Sequence, residues 1–172
     1  MAPFARICLI GPESTGKSAL AAQLATRLGL PVAGEFARDY AEQKGGRLTY
    51  QDVEPIARGE VENLDAVPGP AILDTDLIST VVYSRYYYGR CPQWIEDEAR
   101  RRRADLYLLM DTDVPWTPDS ARDAGGDARE DLFDAFRAAL DEFETNWTIV
   151  SGDGDERLQR ASEAAGGSLL GG

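Results

Sequence analysis

The chain of 172 residues contains no histidine. This absence excludes imidazole as a general base, the Ser-His-Asp triad and every metal site that depends on histidine ligands. A catalytic base in this protein must therefore be a carboxylate or a group of the substrate itself.

Cysteine and long apolar runs are also scarce. The only cysteines are Cys8 and Cys91, and Cys8 lies in an apolar segment, which is typical of a reducing cytosol rather than a disulfide framework. No apolar run reaches the length of a membrane span, and the first apolar segment begins at residue 4, which leaves no room for a signal peptide. We therefore expect a cytoplasmic protein with no membrane partner.

Positive charge is the third scarcity. The formal net charge is −12, and only Lys17 and Lys44 among the 18 basic residues are lysines. Nucleic-acid binding requires clustered basic residues, so we expect no nucleic-acid partner. The hydrophobic content of 43% is that of a globular protein. The sequence predicts one domain over residues 1–165 and a flexible tail over residues 166–172.

A phosphate-binding motif follows the first apolar segment. Residues 11–18 read GPESTGKS and fit the Walker A pattern G-x-x-x-x-G-K-[ST]. The backbone N–H groups of such a loop surround a polyphosphate, and the next helix turns its positive end toward it. Lys17 is predicted to contact the β- and γ-phosphates of ATP, and Ser18 to bind Mg²⁺. The predicted nucleotide-binding residues are Gly11, Glu13, Ser14, Thr15, Gly16, Lys17, Ser18 and Ala19.

Strand-like and helix-like segments alternate along the chain. This alternation predicts an α/β fold with a parallel five-stranded sheet flanked by helices, whose ligands bind beyond the carboxyl ends of the strands. The predicted strands are 4–10, 31–35, 71–75, 105–111 and 146–150. The predicted helices are 17–28, 36–44, 50–66, 77–88, 93–102, 129–144 and 154–165.

Two predicted strand ends carry acids. The segment AILDTD at residues 71–76 places Asp74 where a carboxylate meets Mg²⁺ or its water shell, so Asp74 is a predicted catalytic and metal-binding residue. Asp76 either contacts the substrate or caps the helix that follows. At the second strand end, Glu35, Arg38 and Tyr40 are predicted to hold a hydroxylated acceptor, with Glu35 accepting the hydroxyl proton. The alternative is ordinary surface pairing of charged side chains.

A polar segment at residues 114–128 is predicted to form a lid. Arg122 and Arg129 would stabilise charge on the transferred phosphoryl group, and Trp116 would stack on a ring. A closed lid would also exclude water, so that the acceptor hydroxyl is favoured over hydrolysis. The alternative is a solvated loop with no function.

Together these segments resemble a known family. GPESTGKS, GEFARDY, ILDTD, YSRYYYG, DTDVPW and the two lid arginines are similar to the ribosylnicotinamide kinase domain of NadR-type proteins, in the P-loop NTPase superfamily. The resemblance runs from about residue 4 to residue 157. It implies a fold like that of nucleoside monophosphate kinases. It also implies phosphorylation of the ribose 5′-hydroxyl of nicotinamide riboside by ATP with Mg²⁺, which gives nicotinamide mononucleotide for NAD salvage.

The resemblance also assigns residues to roles. It implies that the nucleoside is faced by Glu35, Arg38, Tyr40, Asp74 and Trp116, and that Arg122 and Arg129 serve the lid. The adenylyltransferase and DNA-binding functions of larger family members are not expected here, because the chain has neither the length for further domains nor the histidines of an H-x-G-H signature.

Two other functions remain open at this stage. One is a kinase of another nucleoside or small alcohol with the same fold. The other is a nucleotide-dependent switch that binds ATP or GTP and acts on a partner. The sequence after the P-loop contains no N-K-x-D guanine signature, which disfavours a GTPase, and aromatic residues on the acceptor side favour a bound ring.

Overall fold

Five short strands form the centre of the molecule. The computed structural model describes residues 6–13, 15–113 and 126–170. Within these ranges the strands are β1 (Arg6–Ile10), β2 (Val32–Ala33), β3 (Ala71–Asp74), β4 (Leu106–Met110) and β5 (Trp147–Val150). They form one sheet in the order β2-β3-β1-β4-β5, and every neighbouring pair is parallel.

Helices cover both faces of this sheet. They are α1 (Lys17–Leu28), α2 (Phe36–Gln43), α3 (Val53–Ala66), α4 (Leu77–Tyr88), α5 (Gln93–Arg101), α6 (Gly126–Glu142) and α7 (Gly154–Leu170), with a 3₁₀ turn at Tyr50–Asp52. One face packs against α1 and α7, and the other against α3, α4, α5 and α6. In the part of the chain that the structure describes, no helix combines the length and apolar character that a membrane span needs.

The central strand shows why the sheet is buried on both faces. Ile7 and Leu9 of β1 belong to the core on the α1 side, whereas Cys8 and Ile10 belong to the core on the α4 side. All four side chains are fully buried. Successive side chains of a strand point to opposite faces, so a strand covered on both faces reads as a continuous apolar run. This run is what makes the first strand visible in the sequence.

The order of the strands on either side of β1 indicates where a ligand can bind. β1 pairs with β3 on one side and with β4 on the other, so the strand order reverses there. A crevice opens beyond the carboxyl ends of the strands at such a point. The loop after Ile10 and the end of β3 at Asp74 both lie at this edge.

The predicted fold is confirmed, and the differences lie at element ends. The final helix continues to Leu170, five residues beyond its predicted end at residue 165, and the flexibility of residues 166–172 stays a prediction. Packing of Ala161 and Ala165 against the α1 side of the sheet stabilises this helix, and such tertiary packing outweighs the weak helix propensity of Gly166 and Gly167. Helix α6 begins at Gly126, so the last three residues of the predicted lid are helical.

The turn from β1 into the next loop requires glycine. Gly11 has a φ of +145°, a backbone conformation that residues other than glycine rarely adopt. A Cβ at this position would lie 3.2 Å from the carbonyl oxygen of Met110 and 3.3 Å from its Cβ. Gly29, at the end of α1, has a φ of +68°, but a Cβ there would meet no atom of the described residues within 4 Å. Alanine at Gly11 would therefore suffer both backbone strain and steric crowding, whereas alanine at Gly29 would suffer backbone strain alone.

We expect Gly11→Ala to lower the free energy of unfolding by about 3 kcal/mol, because left-handed strain and overpacking add. Gly29→Ala should cost only about 1 kcal/mol, since strain acts there alone. Urea denaturation of the two variants and the wild type measures both losses. Equal losses would show that Met110 does not restrict the turn.

Candidate active site

The loop between β1 and α1 leads directly into the N-terminus of α1. Its last residue, Gly16, is the N-cap of α1 and adopts the left-handed conformation with a φ of +79°. The first turn of α1 contains no acidic residue, and no side chain within the described ranges caps it. The N–H groups of that turn, together with the positive end of the helix, can therefore bind an anionic group.

Lys17 lies against this loop rather than in solvent. Its side chain is buried, and Nζ donates to the Pro12 carbonyl at 3.3 Å. Thr15 Oγ1 donates to the same carbonyl at 2.7 Å. Both contacts span the loop, so they hold its curvature and keep the ammonium group near the N-terminus of α1. This is the position that the sequence predicts for a lysine that contacts phosphates.

The hydroxyl of Ser18 and the carboxylate of Asp74 meet at the carboxyl edge of the sheet. Ser18 Oγ donates to Asp74 Oδ2 at 2.6 Å. Asp74 Oδ1 is buried and has no hydrogen-bond partner among the described residues. Burial raises the pKa of Asp74, and the hydrogen bond from Ser18 opposes that rise. The predicted pair is therefore in contact, and one of its oxygens is open to a further partner.

This pair fits Mg²⁺. The ion prefers hard oxygen ligands, and it is usually held by one or two protein groups together with phosphates and water. No group of three or more acidic, cysteine or histidine side chains that would hold a metal by themselves occurs in the described ranges. Ser18 and Asp74 are accordingly the residues that would hold the ion, with phosphate oxygens completing its coordination.

Glu13 has a side-chain contact that its motif does not predict. It is almost completely buried, and its Oε2 accepts a hydrogen bond from the hydroxyl of Tyr83 on α4. The ring of Tyr83 stacks on Tyr87 with the centroids 6.0 Å apart. Glu13 thus ties the loop to α4 through its side chain, which leaves its backbone for the predicted nucleotide contact.

Arg157 supports the same loop from the other side. This residue of α7 is only 4% exposed, and its Nη1 donates to the Thr15 carbonyl. Its Nε donates to the Gly152 carbonyl at 2.8 Å, and its Nη2 pairs with Asp113 Oδ1 at 2.9 Å. One guanidinium therefore joins the phosphate-binding loop to the loops that follow β5 and β4. The fixed fork of five N–H donors makes arginine suited to such a junction.

The two residues that follow β3, Thr75 and Asp76, have separate structural roles. Thr75 has a φ of +71°, a strained value for a β-branched residue, and its N–H donates to the Leu9 carbonyl at 3.0 Å. Asp76 Oδ1 accepts from the Ile78 N–H at 3.0 Å, and Oδ2 accepts from the Tyr107 hydroxyl. Burial raises the pKa of Asp76 to about 6. The capping alternative for Asp76 is confirmed, while its contact with a substrate stays a prediction.

The corner after β2 holds the predicted acceptor residues. Glu35 is the N-cap residue of α2 and is buried, and Arg38 Nε lies 3.5 Å from Glu35 Oε2. The two side chains do pair, as the alternative interpretation predicts, but Glu35 is inside the protein rather than on its surface. The hydroxyl of Tyr40 donates to Asp52 Oδ1 at 2.8 Å. Tyr40 is thus bound to the 3₁₀ turn, and its nucleoside contact stays a prediction.

A fourth acid of this region comes from α3. Glu60 is only 1% exposed. Burial raises its pKa well above the ordinary value, and the negative charges of Asp76, Glu35 and Asp74 raise it further. Four buried carboxyl groups therefore lie together near the end of β3. Their mutual repulsion raises the pKa of Glu60 in addition to the effect of burial.

The lid residues are only partly placed. Arg129 was expected on a loop, but it lies in the first turns of α6 and is 4% exposed. Its neighbour Glu130 accepts a hydrogen bond from Thr112 at 2.6 Å, which fixes this end of α6 near the end of β4. Ser14, Trp116 and Arg122 lie outside the described residues.

Two of these residues are not predicted by the sequence. Glu60 had a usable signal, because Ile56 and Leu64 lie four residues before and after it on the buried face of α3. A charged residue at such a position is rarely buried without a partner or function. Arg157 had no comparable signal, since its partners are mainly backbone carbonyls that are distant in the sequence.

We expect Arg157→Met to weaken binding of a non-hydrolysable ATP analogue by at least about tenfold, because charge-assisted hydrogen bonds that hold the loop are lost. Arg160→Met is the matched control, since the described contact of Arg160 is an exposed pair with Glu156. Isothermal calorimetry on both variants measures the change. Unchanged affinity in a folded Arg157→Met protein would contradict the support role.

Comparison with known proteins agrees with this geometry. The trifunctional NAD biosynthesis/regulator protein NadR of Salmonella typhimurium is 32% identical over 135 residues, which is 74% of this chain and 33% of that protein. NadR of Escherichia coli K12 is 33% identical over 127 residues, covering 69% of this chain and 31% of that protein. The chain thus spans about a third of the length of these curated relatives.

Solved structures share the fold. A NadR protein in complex with NR superposes with a TM-score of 0.77 at 24% identity, covering 96% of this chain and 51% of that one. Deoxyadenosine kinase from M. mycoides with bound dCTP gives 0.65 at 14% identity, covering 94% and 99%. The predicted resemblance to NadR-type proteins is confirmed. Residues 6–157 match the family model described as an AAA domain, and the chain therefore belongs to this P-loop family.

Proposed function

We propose that this protein is an ATP-dependent kinase that phosphorylates the ribose 5′-hydroxyl of nicotinamide riboside and forms nicotinamide mononucleotide. The observation that carries the proposal is the contact between Ser18 and Asp74 at 2.6 Å, near the buried Glu35 and its half-buried partner Arg38. A phosphate-binding loop and an acid-containing acceptor corner thus share one edge of the sheet. Phosphoryl transfer to a hydroxyl requires both parts.

The relatives support nicotinamide riboside as the acceptor. The two curated proteins are named for NAD biosynthesis, and one solved NadR protein was crystallised with NR. The charge of the site supports the same choice. Nicotinamide riboside carries a positively charged pyridinium ring, and the buried acids Glu35 and Asp74 lie close enough to each other to interact electrostatically. A neutral nucleoside would gain less from these carboxyl groups.

The phosphate side of the reaction relies on positioned positive groups. The N–H groups at the start of α1 and the ammonium of Lys17 would hold the β- and γ-phosphates of ATP. Mg²⁺, when bound by Ser18 and Asp74, neutralises phosphate charge. In the reaction the acceptor oxygen bonds to the γ-phosphorus as the bond to the β-γ bridging oxygen breaks, which leaves ADP. Charge on the transferred group is then stabilised by the loop.

The acceptor side needs a base and an orienting cation. Glu35 is the carboxylate proposed to take the proton from the 5′-hydroxyl, and Arg38 would hold it in place. Of the two arginines proposed for the lid, Arg129 is the one whose position the structure describes. It is buried in α6 rather than placed on a loop. Arg122 as a second lid cation and Trp116 as a stacking residue stay predictions from the sequence.

A second candidate is a kinase of a different nucleoside. The solved deoxyadenosine kinase favours this alternative, because it has the same fold along 94% of the chain. A nucleotide-dependent switch is a third candidate, and it differs in one measurable respect. A switch would turn over ATP slowly whether or not a nucleoside is present, whereas a kinase needs its acceptor.

We expect ADP release to depend on nicotinamide riboside in a panel that also contains adenosine, uridine and deoxyadenosine. A coupled assay for ADP, with mass spectrometry of the product, measures the preference. Lys17→Ala should reduce turnover by at least about 100-fold while the protein remains folded, because an electrostatic contact to the transferred group is removed. If the protein prefers another nucleoside, that nucleoside replaces nicotinamide riboside as the proposed acceptor. If ATP turnover does not depend on any nucleoside, the protein is a switch.

We expect Asp74→Asn to reduce kcat by at least about 100-fold and to raise the Mg²⁺ concentration needed for half-maximal rate, because the amide keeps the shape but loses the charge. Steady-state kinetics over a Mg²⁺ series measures both changes. Nucleoside affinity should change much less. A wild-type Mg²⁺ dependence in the variant would make Asp74 a structural residue only.

A further inference from the structure

Helix α2 and its N-cap carry the two residues proposed for the acceptor side, but the sheet does little to fix them. Strand β2 lies at one edge of the sheet and consists of Val32 and Ala33. It ends two residues before Glu35, the N-cap residue of α2. A base must stay within about 3 Å of the proton that it accepts, so α2 has to be held by contacts outside the sheet.

One side of α2 packs against the segment from Asp52 to Gly59. Phe36, Tyr40 and Lys44 follow one another at intervals of four residues, so they lie on the same side of the helix. The ring of Phe36 packs on the backbone of α3, where a Cβ at Gly59 would lie 2.1 Å from Cε1 of the ring. The Tyr40 hydroxyl and the Lys44 ammonium both reach Asp52. We name these three side chains of α2 and its C-cap the docking stripe.

Asp52 is the point at which the polar contacts of the docking stripe converge. This residue ends the 3₁₀ turn and is 5% exposed. Its Oδ1 accepts a hydrogen bond from the Tyr40 hydroxyl at 2.8 Å and lies 3.5 Å from Lys44 Nζ. Its Oδ2 accepts from the Thr49 N–H at 2.8 Å. One carboxylate therefore joins the C-terminal half of α2 to the start of the 3₁₀ turn.

The hydrogen bond from Tyr40 is the stronger of the two polar contacts between α2 and Asp52. The side chain of Lys44 is 51% exposed, so water screens its pair with Asp52 and the pair contributes little. Burial raises the pKa of Asp52, but hydrogen bonds from Thr49 and Tyr40 outweigh that effect and leave the pKa below its ordinary value. Tyr40 therefore donates to an ionised carboxylate, and such hydrogen bonds are about twice as strong as neutral ones.

Arg38 lies on the opposite side of α2 from the docking stripe. It is two residues from both Phe36 and Tyr40, and residues with that spacing do not face each other on a helix. Arg38 Nε lies 3.5 Å from Glu35 Oε2, and the charges of both residues act on Asp74 at the end of β3. One side of α2 is thus held against α3 and the 3₁₀ turn, while the other side presents the Glu35–Arg38 pair to the site.

We propose that Tyr40 and Asp52 are positioning residues whose hydrogen bond fixes α2. The helix in turn holds Glu35 and Arg38 at the acceptor hydroxyl. The hydroxyl of Tyr40 then acts within the protein and not on the nucleoside, in contrast to the role that the family resemblance implies. The catalytic part of this inference rests on the proposed kinase function. The structural part does not, because the hydrogen bond is made without any acceptor.

The first test needs no substrate. The Lys44 N–H donates to the Tyr40 carbonyl at 3.1 Å, so its hydrogen exchange, followed by NMR on the full chain, reports opening of this end of α2. We expect Tyr40→Phe to speed this exchange by at least about threefold relative to amides of β1, because the bond to Asp52 is lost. Tyr86→Phe is the matched control, since Tyr86 is exposed on α4. Equal protection of the Lys44 amide in Tyr40→Phe and wild type would overturn the proposal.

The second test separates positioning from direct contact with the nucleoside. With the nucleoside that the wild type phosphorylates, Tyr40→Phe and Asp52→Ala should each lower kcat/KM for the acceptor by about fivefold or more and leave the KM for ATP within about twofold. The double variant should be less than about twofold worse than the more impaired single variant, because both changes remove the same bond. If the hydroxyl touched the nucleoside instead, Asp52→Ala would keep wild-type acceptor kinetics. That result, additive losses, or equal losses for both substrates would overturn the positioning role.

A milder variant covers the case in which Asp52→Ala does not fold. Asp52→Asn keeps an acceptor oxygen without the charge and should show the same pattern at smaller size, whereas wild-type kinetics in that variant would count against the proposal. If the wild type phosphorylates no nucleoside, the proposed function fails. The exchange of the Lys44 amide then still decides whether the bond between Tyr40 and Asp52 fixes α2.

Discussion

The tight turn from β1 into α1 is the constraint on which the rest of the site depends. This turn must present its backbone donors to a ligand, so it cannot use them in the sheet. A loop of this kind needs other contacts to keep its shape. The structure supplies them from three elements: Tyr83 of α4 binds Glu13, Asp74 of β3 binds Ser18, and Arg157 of α7 binds the Thr15 carbonyl. Each element reaches the loop from a different side.

A second constraint is the density of buried acid. Glu60 and Asp76 both have a raised pKa, and in each case burial is the main cause. Hydrogen bonds to Asp76 from Tyr107 and from the Ile78 N–H lower its pKa and partly offset burial. Burial therefore raises the pKa of both acids, and hydrogen bonds oppose that rise at Asp76.

The fold could be predicted from the sequence because its signals are local. The apolar runs of β1 and β4 and the GPESTGKS motif lie within short windows, and residues 77–88 are helical in the prediction and in the structure. The misjudged ends had tertiary causes. The extension of α7 past Gly166 depends on packing against the α1 side of the sheet, which no local pattern contains.

The candidate site could be predicted only in part for the same reason. The contact of Ser18 with Asp74 follows from a motif and a strand end, both visible in the sequence. Arg157 acts on backbone groups that belong to distant segments, 142 residues away in the contact with Thr15. Backbone partners have no residue type to recognise. Such contacts become visible only when the chain is folded.

That separation along the chain has a consequence for synthesis. The ribosome makes the phosphate-binding loop early and α7 late, so the loop emerges long before the arginine that supports it. At about 5–20 residues per second, roughly 7–28 s pass between Thr15 and Arg157. For most of this interval β1 lacks β4 and β5 on one side. A nucleotide therefore gains its full affinity for the loop, and its full stabilising effect on the protein, only after translation has passed residue 157.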